Sequence, residues 1–265
     1  MFRSGFDYLG LVAAYTRANV RAQLEYPGAF LSQVIAMFIN DGAWVLFWVF
    51  FFSRFRVLHG WGLPDVISLW AVTAAGFGIA HAIMGNSLQL APLIIRGELD
   101  VWLSHPRALL PHMLLGRSVP SAWGDAAFGY AVYFLIVRPD PARMVLFVIL
   151  TFVSAVVFVG LGIIAGSLSF FIGNASSFAD EWRYAVITFA TYPPALFQGV
   201  VKLLLFTIIP AGFVSYLPVE ALRSLSLMYA LGALLGALAV LAVSVAVFHI
   251  GLRRYESGNL MSLNG

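Results

Sequence analysis

The chain has 265 residues, 61% of them hydrophobic and only 10% charged, with 15 basic against 12 acidic side chains and no cysteine. Its continuous apolar runs of about 20 residues are long enough to cross a hydrocarbon core, and that continuity excludes an outer-membrane barrel, whose strands alternate. The missing cysteines exclude disulfides and thiolate chemistry, the small net charge of +3 does not point to nucleic acid, and no polar stretch is long enough to form a separate soluble domain.

In chain order, residues 2–22 read as an amphipathic interfacial helix. Phe2, Phe6, Leu9, Val12, Ala13 and Val20 recur on one side, with Arg3, Asp7, Arg17 and Arg21 largely elsewhere. Such a helix lies in the headgroup plane with its arginines toward anionic lipid. No uninterrupted apolar region followed by a small-residue cleavage site is present, so no cleaved signal peptide is expected. Tyr26, Pro27 and Gly28 turn the chain into a first span at 29–52, aromatic at its far end through Trp44, Phe47 and Trp48, as an interfacial belt would be. Asn40 and Asp41 interrupt it near mid-depth. They face a pathway or a subunit interface, or they hydrogen-bond to a neighbouring helix. After an outer loop, Asp65 is expected to act as N-cap of a second span at 66–90. Gly76, Gly78 and Gly85 there allow close packing, and His81 is a packing residue or a proton relay.

The stretch 91–117 lies between two long apolar runs and carries Arg96, Glu98, Asp100, Arg107 and Arg117. Each charge would cost about 2.5–3.5 kcal/mol at the bilayer centre, so the stretch is expected to be a cytoplasmic connection. Leu99, Trp102 and Leu103 are spaced i, i+3, i+4 on one face of a short helix that Pro106 ends. This helix either grips a soluble partner or lies on the headgroups. The third span is expected at 119–137, with Asp125 about two turns inside. The fourth is expected at 144–171, followed by a short inner loop at 173–183 holding Asp180 and Glu181.

From Tyr184 an apolar run meets Tyr192, Pro193 and Pro194, then continues through Lys202 and Pro210 to Pro218. One straight helix would absorb about 3 kcal/mol per interior proline and bury the chain's only lysine. A helix ending near residue 197, with outer re-entrant pieces at 197–220, avoids both, and lets Lys202 snorkel to the interface. The last span is expected at 225–252, with Gly232 and Gly236 in GxxxG spacing. The expected fold is therefore an all-α polytopic membrane protein, a single transmembrane domain over 1–265. It has six transmembrane helices, an N-terminal interfacial helix, a cytoplasmic amphipathic helix and outer re-entrant helices before the last span. With both termini inside, nine basic residues fall on the inner side and six on the outer, in the sense of the positive-inside rule.

The absences narrow the chemistry. Lys202 stands between Val201 and Leu203, so no GxxxxGK[ST] phosphate loop exists, and there is neither HExxH nor GxSxG. The histidines at 59, 81, 105, 112 and 249 show no metal-ligand spacing. No catalytic residue and no metal site is assigned. Asn40, Asp41, His81 and Asp125 leave a proton-coupled carrier or channel open.

Four stretches carry a resemblance: Tyr26-Pro-Gly-Ala-Phe30; Ile95-Arg-Gly-Glu-Leu-Asp100 with Pro106; Tyr192-Pro-Pro194 with Ile209-Pro-Ala-Gly-Phe213 and Leu217-Pro218; and Gly251-Leu-Arg-Arg-Tyr-Glu-Ser-Gly258. In these the chain resembles the membrane-spanning permease subunit of a bacterial ABC exporter of the ABC-2 type. The resemblance implies export of an amphipathic or hydrophobic substrate across the cytoplasmic (inner) membrane, with no cofactor on this chain and both termini cytoplasmic. ATP and Mg would be bound by a separate cytoplasmic ABC ATPase, in two copies. A second permease, identical or paralogous, would complete the pathway among membrane lipid. It further implies that Arg96, Glu98, Leu99, Asp100, Trp102, Leu103 and Pro106 form the coupling helix that meets the ATPase. Tyr192, Pro193, Pro194, Lys202 and Pro210 would belong to outer re-entrant helices that cap the exit.

Overall fold

The computed structural model describes residues 6–255. Residues 2–5 of the expected interfacial helix and 256–258 of the tail motif lie outside them. The described chain is helical, with one isolated bridge between Leu58 and Trp61. Helix α1 is Phe6–Leu24, and α2 is Pro27–Arg54, opened by a proline whose missing N–H is not needed in a first turn. Helix α3 is Leu63–Ile83. Asp65 is not its N-cap as expected: Gly62 holds that place, and Asp65 reaches back from the first turn to accept the Gly62 N–H at 2.8 Å. Helix α3 also ends before residue 90. There Gly85 N–H donates to Arg117 O at 2.9 Å and Val119 N–H to His81 O at 3.0 Å, so the departing and returning chains satisfy each other's backbone groups in place of another helical turn.

A 3-10 turn, Gly85–Leu88, and three short helices follow: α4 Leu90–Ile95, α5 Leu99–Leu103 and α6 Leu109–Leu115. Helix α7, Pro120–Val132, runs into a wider π turn at Tyr133–Val137. Helix α8 is Pro141–Ser167, capped by the Asp140 carboxylate on Arg143 N–H at 2.9 Å, and α9 is Ser169–Ile172. Then come α10 Ser176–Ala190, α11 Gly199–Leu204, a π turn at Gly212–Tyr216, α12 Leu217–Ser224 and α13 Leu227–Leu252. Among the described residues, four helical stretches are long and apolar enough to cross a membrane: Pro27–Arg54, Leu63–Ile83, Pro141–Ile172 and Leu227–Leu252.

Helix α3 is the centre. Its apolar window is 83% buried, against 17% for α2 and 28% for α13. Small residues make this possible, because they let backbones meet. Gly78 faces the Ala126 backbone and the Ala122 carbonyl of α7, Gly129 of α7 faces Ala71 and Ala75, and Gly76 faces Ser154 of α8. The outward faces of α2 and α13 stay apolar and exposed, through Leu46 and Phe50 on one and Leu235 and Leu238 on the other.

Two expectations around α10 are corrected. The stretch holding Asp180 and Glu181 is helix rather than loop, and the helix stops at Ala190 rather than near 197. Pro193 and Pro194 cannot continue it. Its last carbonyls are taken up from elsewhere: Ser215 Oγ donates to Ala190 O at 2.6 Å, and the Tyr216 hydroxyl donates to Phe189 O at 2.6 Å. Thr73, halfway along α3, also reaches Ala190 O at 3.5 Å, so α10 ends at mid-depth of the bundle. The chain then falls back alongside α10, where the Trp182 indole donates to Ile208 O at 2.7 Å, before α12 climbs to the end of the bundle. There Arg223 pairs with Asp65 and Glu220, each at 3.0 Å, and lies over the Trp61 ring.

Candidate functional site

Two places gather the polar chemistry. The first is the end of the bundle formed by α1, α5 and α6. Helices this short leave most of their terminal carbonyls unpaired, and long-range side chains take these up. Asn86 donates to Met113 O at 2.8 Å, Asn19 to Leu115 O at 3.0 Å and Gln23 to Ser118 O at 3.1 Å. The Tyr15 hydroxyl meets His112 Nε2 at 2.5 Å, with the rings edge to face. Burial, reinforced by nearby His105 and Arg107, holds the His112 imidazole below its ordinary pKa. Trp102 packs against His112 and closes over Gly116, where a Cβ would collide with its ring.

The expected coupling residues divide on this frame. Leu99 is fully buried and Trp102 half-buried, so both hold α5 down rather than facing outward. Leu103 is exposed, and the face expected to unite it with Leu99 does not form. Val101, which helical spacing left out, is the more exposed at 62%. Arg96 and Glu98 form an exposed ion pair at 2.7 Å. Pro106 is exposed beyond the end of α5. Asp100 lies beside Tyr255, whose hydroxyl burial and the Asp100 carboxylate together push up to about 12. Tyr255 also packs on Phe170 and approaches Gly97, so the stretch after α13 fastens the start of α5.

The second place is a cavity of about 510 Å³ at mid-depth, between α2, α3, α7 and α10. Asp41, at the middle of α2, and Asp125 of α7 are both buried and their carboxyls face each other. They meet because α2 and α7 cross closely: Gly124 lies against the Val34 carbonyl, leaving no room for a Cβ. Asn40 donates to Asp41 Oδ1 at 3.2 Å. Neither Asp41 Oδ2 nor Asp125 Oδ2 receives a hydrogen bond from a protein N–H or O–H. Trp44 and Trp70, stacked at 5.8 Å, form one wall with Phe77. Spacing carried a trace of this, since Trp44 is three residues from Asp41, and Trp70, Thr73 and Phe77 recur along α3.

His81 is not part of this group. Its Nδ1–H donates to Phe77 O at 2.8 Å and its Nε2 is buried without a partner, while His81 lines a separate cavity of about 230 Å³. The expected outer residues are spread along the return segment. Tyr192 packs edge to face on Trp48, Pro193 and Pro194 end α10, and Lys202 is exposed on α11. Pro210 is buried just before the π turn.

Residues 38–259 match a family model described as "ABC-2 family transporter protein". No curated protein and no solved structure matches the chain.

Proposed function

The chain belongs to the ABC-2 transporter family, and from that premise we propose that it is the permease subunit of an ABC exporter, driven by a separate cytoplasmic ATPase. ABC-2 membrane components carry no nucleotide-binding domain of their own, which agrees with the missing phosphate loop. The observation that carries the reading is α5 itself. It is pinned from beneath by Leu99 and Trp102 and offers Val101 and Leu103 beside the Arg96–Glu98 pair. An apolar centre rimmed by charge is the make-up of a protein docking patch.

In this reading α5 is the coupling helix, two ATPase copies bind ATP and Mg, and a second permease lines the pathway. The bundle end at α5 is cytoplasmic in an inner membrane, and six crossings put both termini there. Segments 120–137 and 176–190, the second completed by 212–224, supply the two crossings beyond the four long stretches. A push on α5 travels through α4, whose Leu90 sits against Gly166 of α8, and through the 3-10 turn into α3. The paired substitution Val101→Asp with Leu103→Asp should cut co-purification of the ATPase by about tenfold or more, as loss of an apolar anchor does. Unchanged association would remove α5 from the interface.

The facing of Asp41 and Asp125 also favours a second reading, a proton-coupled carrier. It requires transport in vesicles under a pH gradient without nucleotide, and transport that stops without ATP would eliminate it.

A further inference from the structure

We propose that the mid-depth cavity binds a lipophilic organic cation, its positive charge held by Asp41 and Asp125 and its apolar body by Trp44, Trp70 and Phe77. As the cargo site of an exporter this rests on the permease reading; as a binding site it stands on the geometry alone.

Asp41 and Asp125 are 5% and 4% exposed, and both Oδ2 atoms lack a protein donor. A buried carboxylate oxygen without a donor is costly, and two carboxyls can bond to each other only through a proton that one of them carries. An organic cation meets both at once. The cavity's own basic group does not do so: Arg183 is paired with Asp180 at 2.8 Å and lies over the Tyr184 ring.

The wall points to the same ligand class. The Trp70 indole N–H is buried with no acceptor, an orphan independent of the acidic pair, so the site can also take an acceptor on the ligand. Stacked indoles offer the negative π faces that attract organic cations. The volume is far beyond what a proton or a few waters need, and falls in the range of small-molecule sites. Trp44 is 44% exposed and Tyr184 59% exposed, so the cavity opens between α2 and α10 toward the apolar surroundings, where a lipophilic cation concentrates.

The test is equilibrium binding of tetraphenylphosphonium to the full chain in lipid discs, without ATPase or nucleotide, against neutral triphenylphosphine oxide as competitor. We expect saturable binding that the neutral compound does not displace. The Asp41→Asn, Asp125→Asn pair should weaken it by about tenfold or more, as loss of a buried charge partner does, and Trp44→Leu by a few-fold. Glu25→Gln, in the exposed turn after α1 and outside the cavity, should leave it unchanged. If the asparagine pair fails to fold, the competition and the Trp44→Leu variant still decide. Absent saturation, equal displacement by the neutral compound, or a folded asparagine pair that binds normally would each overturn the proposal. None of these results depends on ATPase docking, so this site and the coupling reading can fail separately.

Discussion

The centre of the bundle and its α1–α5–α6 end are held together by opposite means. At the centre, glycines let α3, α7 and α8 touch backbone to backbone, with Gly78 on Ala126 and Gly129 on Ala71 and Ala75. At the end, polar side chains from far along the sequence reach the carbonyls of short helices, as Asn19 and Asn86 do for α6. The crossings of α3 with α7 and α8 therefore have no slack, the cavity lying beside them toward α2 and α10, whereas the end is fastened by side-chain hydrogen bonds.

That contrast can be tested from its strongest consequence downward. Gly129→Val should be the most damaging. A Cβ there would lie 2.6 Å from both the Ala71 carbonyl and the Ala75 nitrogen, and overpacking against rigid neighbours costs about 3 kcal/mol or more. Folded yield should collapse, whereas Gly10→Ala, with nothing within 4 Å, should leave the thermal midpoint unchanged or slightly higher; similar midpoints for the two would break the contrast. Trp102→Ala should come next, at about 2–3 kcal/mol for a half-buried indole, and should free α5 without dispersing the long helices. Hydrogen exchange confined to 99–116 would show this, and global unfolding would contradict it.

A smaller effect is expected from pH. His112 has a lowered pKa in the folded chain, so below the ordinary histidine value of about 6.5 the unfolded chain binds a proton that the folded one resists. Stability from this group is then complete above about pH 7 and is lost on acidification. The fall in thermal midpoint from neutral to mildly acidic pH should shrink in His112→Gln; an identical fall would mean that His112 is not the sensor. Least of all, Glu98→Ala removes an exposed ion pair and should change stability by less than about 1 kcal/mol. Under the proposed coupling role, its larger effect would be on ATPase association.

Much of this arrangement was legible before the fold. The apolar runs, the break at Tyr192, Pro193 and Pro194, and the charged stretch around Glu98 depend on local chemistry, and each falls at a real feature. Other points depend on how helices cross. Nothing in either segment announces that Asp41 faces Asp125, since the meeting is set by Gly124 lying against Val34. Periodicity grouped Leu99 with Leu103, but a five-residue helix has too few turns for spacing to decide which side is covered. The Tyr255 contact decides part of it, from some 155 residues farther along the chain. Asp180, Glu181 and Arg183 read locally as a loop, whereas Arg183 and Asp180 pair along α10.

As a coupling helix, α5 requires a separate ATPase docked on it. Native mass spectrometry of the complex, gently extracted from its own membrane, tests it most directly. The expected result is the 28.9 kDa chain together with a second permease and two copies of a soluble ATPase, and loss of the ATPase alone when Val101 and Leu103 are both replaced by aspartate. A chain recovered only with itself, under conditions that keep other ABC complexes whole, would contradict the account and turn attention to Asp41 and Asp125 as a proton-coupled pair.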